Sequence, residues 1–443
     1  MQKINIDTTV LTGKIKPVHG VNNGPVCYGA MTDVSNYYKE SGFPYVRLHD
    51  PNWPHPREVD IYTIFPDFTK DPADPGSYDF SKTDTYIQSI IACGSKIVYR
   101  LGASIEHTKK KYYVHPPANF NKWAKICVGI IKHYNEGWAG GFKYGIKYWE
   151  IWNEPDNPTK NCMWTGTKEE YFELYKTASR AIKKHDPKLM VGGFAATMVN
   201  TKFDLQFFKY CKKNKLPLDF FSWHTYTDKP EKIAANAHYV RALLEEYGYS
   251  KTESHFNEWN YWPHDAKRPA FGAGNEYNTE RTFERTKSAE GASFDAGILI
   301  MLQDLPVTLA NFYDGQPSSF WSLFNVYGVP QKNYYAFKAF NGLYIHQERV
   351  KAEVTGNQKG LFCCAGLNKK TRELAVLISN FSAKESGYKI MLNGKAKKVL
   401  NSKQFILDKT RNLELTAEKS FKPGTGLNVT VKKHSVVLLK ISL

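Results

Sequence analysis

The chain has 443 residues, 42% hydrophobic and 14% aromatic, which is enough for a large core and too long for one ordinary domain other than an α/β barrel. No run of eighteen apolar residues occurs, so no membrane span is expected. The net charge of +17 is uneven, with +12 carried by residues 351–443. These lysines are spread through strand-like sequence without a helix-turn-helix, zinc-finger or RNA-recognition signature. A solvated basic face is therefore expected and a nucleic-acid partner is not.

The opening MQKINIDTTV lacks the charged-then-apolar layout of a secretory signal. A complete chain would then be cytoplasmic, and a chain stripped of its signal periplasmic or secreted. Seven scattered cysteines show neither C-x-x-C spacing nor scaffold density and read mostly as buried thiols.

From residue 25 onward, short runs rich in β-branched and aromatic residues alternate with longer amphipathic ones. The predicted strands are PVCYGAM (25–31), YVRLHD (45–50), KIVYRLG (96–102), KYWEIWN (147–153), LMVGGFA (189–195), DFFSWHTY (219–226), SHFNEWN (254–260) and TLANFYD (308–314). Helical patterns such as TKEEYFELYKTASRAIKKH (167–185) and AANAHYVRALLEEYGY (234–249) lie between them. Eight strands separated by helices imply a parallel sheet, and eight is the number that closes a (β/α)8 TIM barrel. Two connections are long, the proline-rich residues 50–80 and the stretch WPHDAKRPAFGAGNEYN after the seventh strand. Both would leave the carboxyl-terminal face, where such barrels carry their active sites.

After about residue 345 the pattern changes to alternating segments, RELAVLISNF (372–381), YKIMLN (388–393) and HSVVLLKISL (434–443), split by Asn-Gly and Pro-Gly turns. These predict a C-terminal antiparallel β-sandwich. The expected division is a barrel over residues 16–345, a β-sandwich over 346–443, and residues 1–15 adding a strand to that sandwich.

Two glutamates carry the chemistry. In KYWEIWNEPD, alternation places Glu150, Trp152 and Glu154 on one side of the fourth strand, with Glu154 nearest the rim. In SHFNEWNYW, Glu258 ends the seventh strand among Phe256, Trp259 and Trp262. Such carboxylates would face one another across the mouth, as glycoside hydrolysis demands: one protonates the leaving oxygen and the other attacks the anomeric carbon. Aromatic surroundings supply sugar-stacking platforms and raise the pKa of the carboxyl that must stay protonated. Trp259 and Trp321 are candidate platforms. Glu150 pointing into the barrel needs a partner, Arg47 or Arg100. Glu106 and His107 read as rim residues.

The ordered set WNEPD, NEWN, VRLH and WHTY resembles glycoside hydrolase family 39, within the retaining barrel clan, whose members include β-xylosidases and α-L-iduronidases. The resemblance implies that Glu154 is the acid/base and Glu258 the nucleophile. It further implies that Asn153 bonds the hydroxyl beside the anomeric carbon, that His49, His224 and Tyr226 line the sugar subsite, and that Arg47 keeps Glu258 ionised. The loop HDPNWPHPREVDIYTIFPDF, Arg100 and Glu106 in the third strand region, and the end of the barrel depart from that family's pattern. The expected function is removal of a terminal sugar, a pentose such as xylose or arabinose, from plant-type glycans.

The expected partner is an oligosaccharide or polysaccharide, with a homo-oligomer left open. No cofactor is expected. No metal is expected either, since neither H-E-x-x-H nor H-x-H occurs. An endo-acting glycanase and a non-catalytic carbohydrate-binding barrel are the alternatives, and the second need not keep both glutamates.

Overall fold

The computed structural model describes residues 2–52, 57–157, 159, 162–263, 274–318, 320–356, 358–384, 386–393 and 399–443. Most of the glycine-rich connection after the seventh barrel strand, residues 264–273, falls outside them, as do residues 53–56 of the proline-rich one.

Eight parallel strands close into a barrel in chain order: Gly20–Asn22, Tyr45–Leu48, Lys96–Leu101, Tyr148–Ile151, Met190–Ala196, Phe220–Thr227, Glu253–Tyr261 and Leu309–Phe312. The ring closes where the eighth strand pairs with the first through Asn311–Gly20 and Phe312–Val21. Seven strands lie where the apolar runs predict them. The first does not. It is the three-residue Gly20–Asn22, while the run 25–31 contributes only Val26–Cys27, which pairs with Thr32–Asp33 in a two-residue ladder. Gly20 is required where it stands, because a Cβ there would lie 2.8 Å from the backbone oxygens of Ala310 and Tyr45.

Helices cover the barrel through apolar faces. Lys168–His185 begins with a capping box in which Thr167 and Glu170 satisfy each other's backbone N–H, a device contributing about 1 kcal/mol. It buries Tyr171, Phe172, Leu174, Tyr175, Ala178 and Ile182 at the 3.6-residue period. Ala289–Met301 differs in being buried on nearly every side. One side serves the barrel and the other meets a second layer, where Phe362 comes so near that a Cβ on Gly297 would lie 2.7 Å from its ring. Ser379 of that layer also donates to the Ser293 carbonyl at 2.6 Å.

The second layer is a nine-stranded, mostly antiparallel sheet built from the C-terminal strands and from Gln2–Lys14. The N-terminal strand runs antiparallel to Glu348–Val354 and parallel to Gly387–Asn393. Side chains from strands near both ends of the sheet, Leu400 and Phe421 at one and Leu427 and Val429 at the other, join Ile4, Ile6 and Val376 in one core. The sheet therefore curls over itself as a sandwich does.

Candidate active site

Arg47, inside the second barrel strand, is fully buried and organises the mouth. Its Nε donates to Glu150 Oε2 at 2.7 Å and its Nη2 to Asn153 Oδ1 at 2.6 Å. Its Nη1 donates to Asn22 Oδ1 at 3.0 Å and lies 3.3 Å from Glu258 Oε2. A planar five-donor fork can serve four acceptors at once, which an ammonium cannot. Sequence offered Glu150 a choice of Arg47 or Arg100. The structure pairs Glu150 with Arg47, which also serves Glu258, while Arg100 meets Asp60 at 2.8 Å.

Glu258 reaches the mouth through a β-bulge. The pairing between the seventh and sixth strands shifts between Phe256 and Glu258, so two successive residues face inward. The Asn257 amide donates to Glu150, and Glu258 Oε1 accepts from the Tyr226 hydroxyl at 2.5 Å. Trp259 consequently turns outward. It is completely buried among Phe256, Phe312 and Phe337, in the layer between strand and helix. The structure does not bring Trp259 to the cleft, and the sugar platform expected there is corrected to a core side chain.

Glu154 is presented differently. The fourth strand stops at Ile151, and Trp152 and Glu154 then adopt left-handed backbone, with φ of 72° and 46°. Each such residue costs on the order of 1–3 kcal/mol unless its surroundings enforce it. They are enforced: Trp152 N donates to the Leu101 carbonyl at 2.8 Å and Glu154 N to the Ala195 carbonyl at 3.1 Å. The twist breaks the alternation expected of this strand. Trp152 packs outward against Trp123 and Trp164 rather than beside Glu150. Glu154 Oε1 lies 2.8 Å from His224 Nδ1, and Oε2 accepts from Asn157 Nδ2 at 2.9 Å.

His224 sits between the two carboxylates, its Nε2 3.6 Å from Glu258 Oε2. Donor atoms of Glu154, His224 and Glu258 all lie within 4.8 Å of one another, a spacing that could hold a cation and is also that of a catalytic carboxyl pair. The His49 ring is buried, with Nε2 3.2 Å from Asp50 Oδ2. Trp321 is half-buried, its ring 5.4 Å from that of Tyr226 and 5.3 Å from Trp262. Glu106 turns back into its own loop and accepts N–H groups from Tyr112, Tyr113 and Val114.

Burial lifts the Glu258 carboxyl above the usual range. The His224 side chain lowers it, Glu154 raises it further, and Arg47 and the Tyr226 hydroxyl lower it. Burial also drives His224 down to about 4, so its imidazole is neutral at pH 7. His49 is pushed down by burial and by Arg47. Asp156, held by the Thr197 N–H and hydroxyl, is raised to about 7 by burial and by the charge of Glu154.

Sequence reasoning missed Asn22, Asn157, Asn257 and Asp156. Asn157 and Asp156 stand within three residues of Glu154, and Asn257 immediately precedes Glu258. Amides flanking a candidate carboxyl were the available signal.

The family description "Glycosyl hydrolases family 39" matches residues 20–269, more than half of the chain. The chain belongs to glycosyl hydrolase family 39. As a member of family 39 it is a glycoside hydrolase and acts on a carbohydrate. A β-xylosidase from Caldicellulosiruptor saccharolyticus is 28% identical over 377 residues, covering 77% of this chain and 70% of that relative. A β-xylosidase from Geobacillus stearothermophilus is 27% identical over 303 residues, covering 60% and 56%. Among solved structures, a glucosidase from Croceicoccus marinus superposes with a TM-score of 0.84 at 22% identity, covering 100% of this chain and 99% of its own. A monomeric β-xylosidase from Caulobacter crescentus gives 0.73 at 16% identity, covering 100% and 99%. At these identities the structures establish the two-domain fold. No described helix of this family 39 chain is long and apolar enough to cross a membrane.

Proposed function

We propose that the protein is a retaining glycosidase that removes a terminal pentose, xylose or arabinose, from plant-type glycans, with Glu154 as acid/base and Glu258 as nucleophile. The observation that carries this reading is a distance. One carboxylate oxygen of Glu154 lies within 4.8 Å of one of Glu258. Retaining pairs stand about 5–5.5 Å apart, whereas inverting pairs need roughly 6.5–9.5 Å to admit a water.

In the first step a Glu258 oxygen bonds to the anomeric carbon as the glycosidic C–O bond breaks. The departing electron pair stays on the leaving oxygen, which takes the Glu154 proton. In the second step Glu154, now a carboxylate, removes a proton from water as the water oxygen bonds to the same carbon. The Glu258–sugar bond breaks and the nucleophile regains its charge. Arg47 and the Tyr226 hydroxyl hold that charge against burial before attack and after release. Neutral His224 orients Glu154 without placing a cation beside an oxocarbenium-like centre. Asn153, anchored by Arg47, and His49 are the hydroxyl-binding candidates, and Trp321 is the platform.

The pentose is supported by the two xylosidase relatives, and the glucosidase likeness makes hexose the necessary control. The test is hydrolysis of p-nitrophenyl β-xyloside, α-arabinoside and β-glucoside, with the first-formed anomer followed by NMR. Pentose release with retained configuration is expected. Inversion would overturn the mechanism, and cleavage of the glucoside alone would overturn the sugar.

A further inference from the structure

The loop leaving the third barrel strand carries features that hydrolysis at the cleavage point does not use. From residue 107 to 135 the chain has six lysines and no aspartate or glutamate. Glu106, just before them, is buried; its carboxylate accepts backbone N–H groups of the same loop and lies 3.9 Å from Arg57 Nη1, which leaves the exposed Lys109 and Lys110 outside its reach. That bonding holds the loop in one shape and turns Tyr112 and Tyr113 outward, 56% and 46% exposed. The Tyr113 ring stacks on Tyr62 with centroids 3.6 Å apart and 12° between planes. The Arg57 guanidinium lies 5.9 Å from the Tyr113 ring and the Lys110 ammonium 5.1 Å from that of Tyr112. Lys109 and Lys110 are exposed. Two part-exposed rings held in place with cations over them form a surface for flat, apolar-faced and negatively charged groups.

Its place in the barrel says which part of a substrate reaches it. In a ring of eight, the third strand stands opposite the seventh, which carries Glu258, and beside the fourth, which leads to Glu154. The loop is tied to both neighbours. Ile105 N donates to Asp50 Oδ1 at 2.8 Å, Thr165 N donates to the Val114 carbonyl at 3.0 Å, and His115 Nδ1 lies 2.6 Å from Thr165 Oγ1. A leaving group protonated by Glu154 departs away from Glu258, towards this wall.

We propose that the loop forms a leaving-group subsite for an anionic sugar, carrying a carboxylate or a sulfate, with Tyr112 and Tyr113 as ring platforms and Lys109 and Lys110 as charge partners. The proposal rests on Glu154 being the acid/base.

The test compares kcat/KM for neutral xylotriose with that for xylo-oligosaccharides bearing glucuronic acid or sulfate on the residue after the cleaved bond. The anionic substrates are expected to lead by about tenfold at ~20 mM ionic strength and to lose the lead at ~0.5 M, where surface charges are screened. The two anionic arms tell carboxylate from sulfate. The double variant Lys109→Ala/Lys110→Ala is expected to bring the anionic-to-neutral ratio to about one at low salt, since exposed pairs act only through their charge. Equal rates for neutral and anionic substrates, or a ratio that survives the double variant, would overturn the proposal. The same oligosaccharides titrated into Glu258→Ala by calorimetry separate the two readings: no hydrolysis by the wild type, together with salt-sensitive anion preference in binding to the variant, breaks only the catalytic assignment. Tighter binding of a 20-nucleotide single-stranded DNA than of any oligosaccharide would overturn the subsite in favour of a nucleic-acid surface.

Discussion

At the amino-terminal end of the barrel, Val98, Tyr148, Phe220 and Leu309 close the interior with apolar side chains, flanked by Tyr45 and Met190. Towards the carboxyl-terminal end of the barrel the interior is filled by Arg47, Glu150, Glu258, Asn153 and Asn257. The backbone there is strained, with positive φ at Asn23, Asp50, Asn52, Trp152, Glu154 and Ala195. The closed end stabilises by removing apolar surface from water. The open end holds charges and left-handed residues that are tolerated only because neighbouring strands over-determine them. One barrel thus separates the residues that keep it folded from those that do its chemistry.

Substitutions at the two ends can break or sharpen that contrast. Glu258→Ala is expected to lower turnover by roughly 10⁴–10⁶-fold, the scale of losing a catalytic nucleophile, while circular dichroism stays unchanged. Wild-type-like rates would remove Glu258 from the mechanism. Glu154→Ala should cost about 10²–10⁴-fold on xylo-oligosaccharides and much less on aryl glycosides whose leaving groups need no proton. Equal losses on both substrates would contradict an acid role.

A paired experiment addresses stability. Phe220→Ala at the closed end is expected to destabilise by about 3–5 kcal/mol in urea unfolding and to leave kcat/KM at 25 °C intact. Glu150→Ala at the open end should destabilise by a similar ~3–5 kcal/mol, because it leaves the buried Arg47 Nε and the Asn257 amide without their acceptor, and should impair kcat/KM as well. Matching kinetics in the two variants would mean that the ends are not functionally distinct. The smallest effect is expected from Tyr226→Phe. The lost hydroxyl donates to Glu258 and lowers its pKa, so removal raises that pKa further. Glu258 must be ionised to attack, and the acid limb of the kcat/KM–pH profile therefore moves to higher pH. A limb that moves down or stays fixed would show that Tyr226 does not tune the nucleophile.

Much of this was legible from one sequence, for identifiable reasons. The second to eighth strands are runs of four to nine residues with β-branched and aromatic content, which is where local pattern speaks loudest. The first is three residues including Gly20 and Asn22, chosen for close approach and for a bond to Arg47, so the longer apolar run beside it drew the assignment. Glu154 and Glu258 were visible as carboxylates at strand ends. The directions of Trp152 and Trp259 were not, because a left-handed pair and a β-bulge each shift the two-residue period, and neither has a local signature. Arg47 serving Glu150 and Glu258 together depends on three chain segments meeting, which no window of sequence contains.

The strand Gln2–Lys14 has a consequence for the order in which the chain matures. Its hydrogen-bonding neighbours, Glu348–Val354 and Gly387–Asn393, are synthesised more than three hundred residues after it. At roughly 5–20 residues per second it waits on the order of twenty to seventy seconds for a partner, a period in which the whole barrel can emerge and close. The sheet is then completed around a finished barrel. Until that moment Ile4 and Ile6, fully buried in the mature protein, sit on an unpaired edge where pairing with another nascent chain competes with folding.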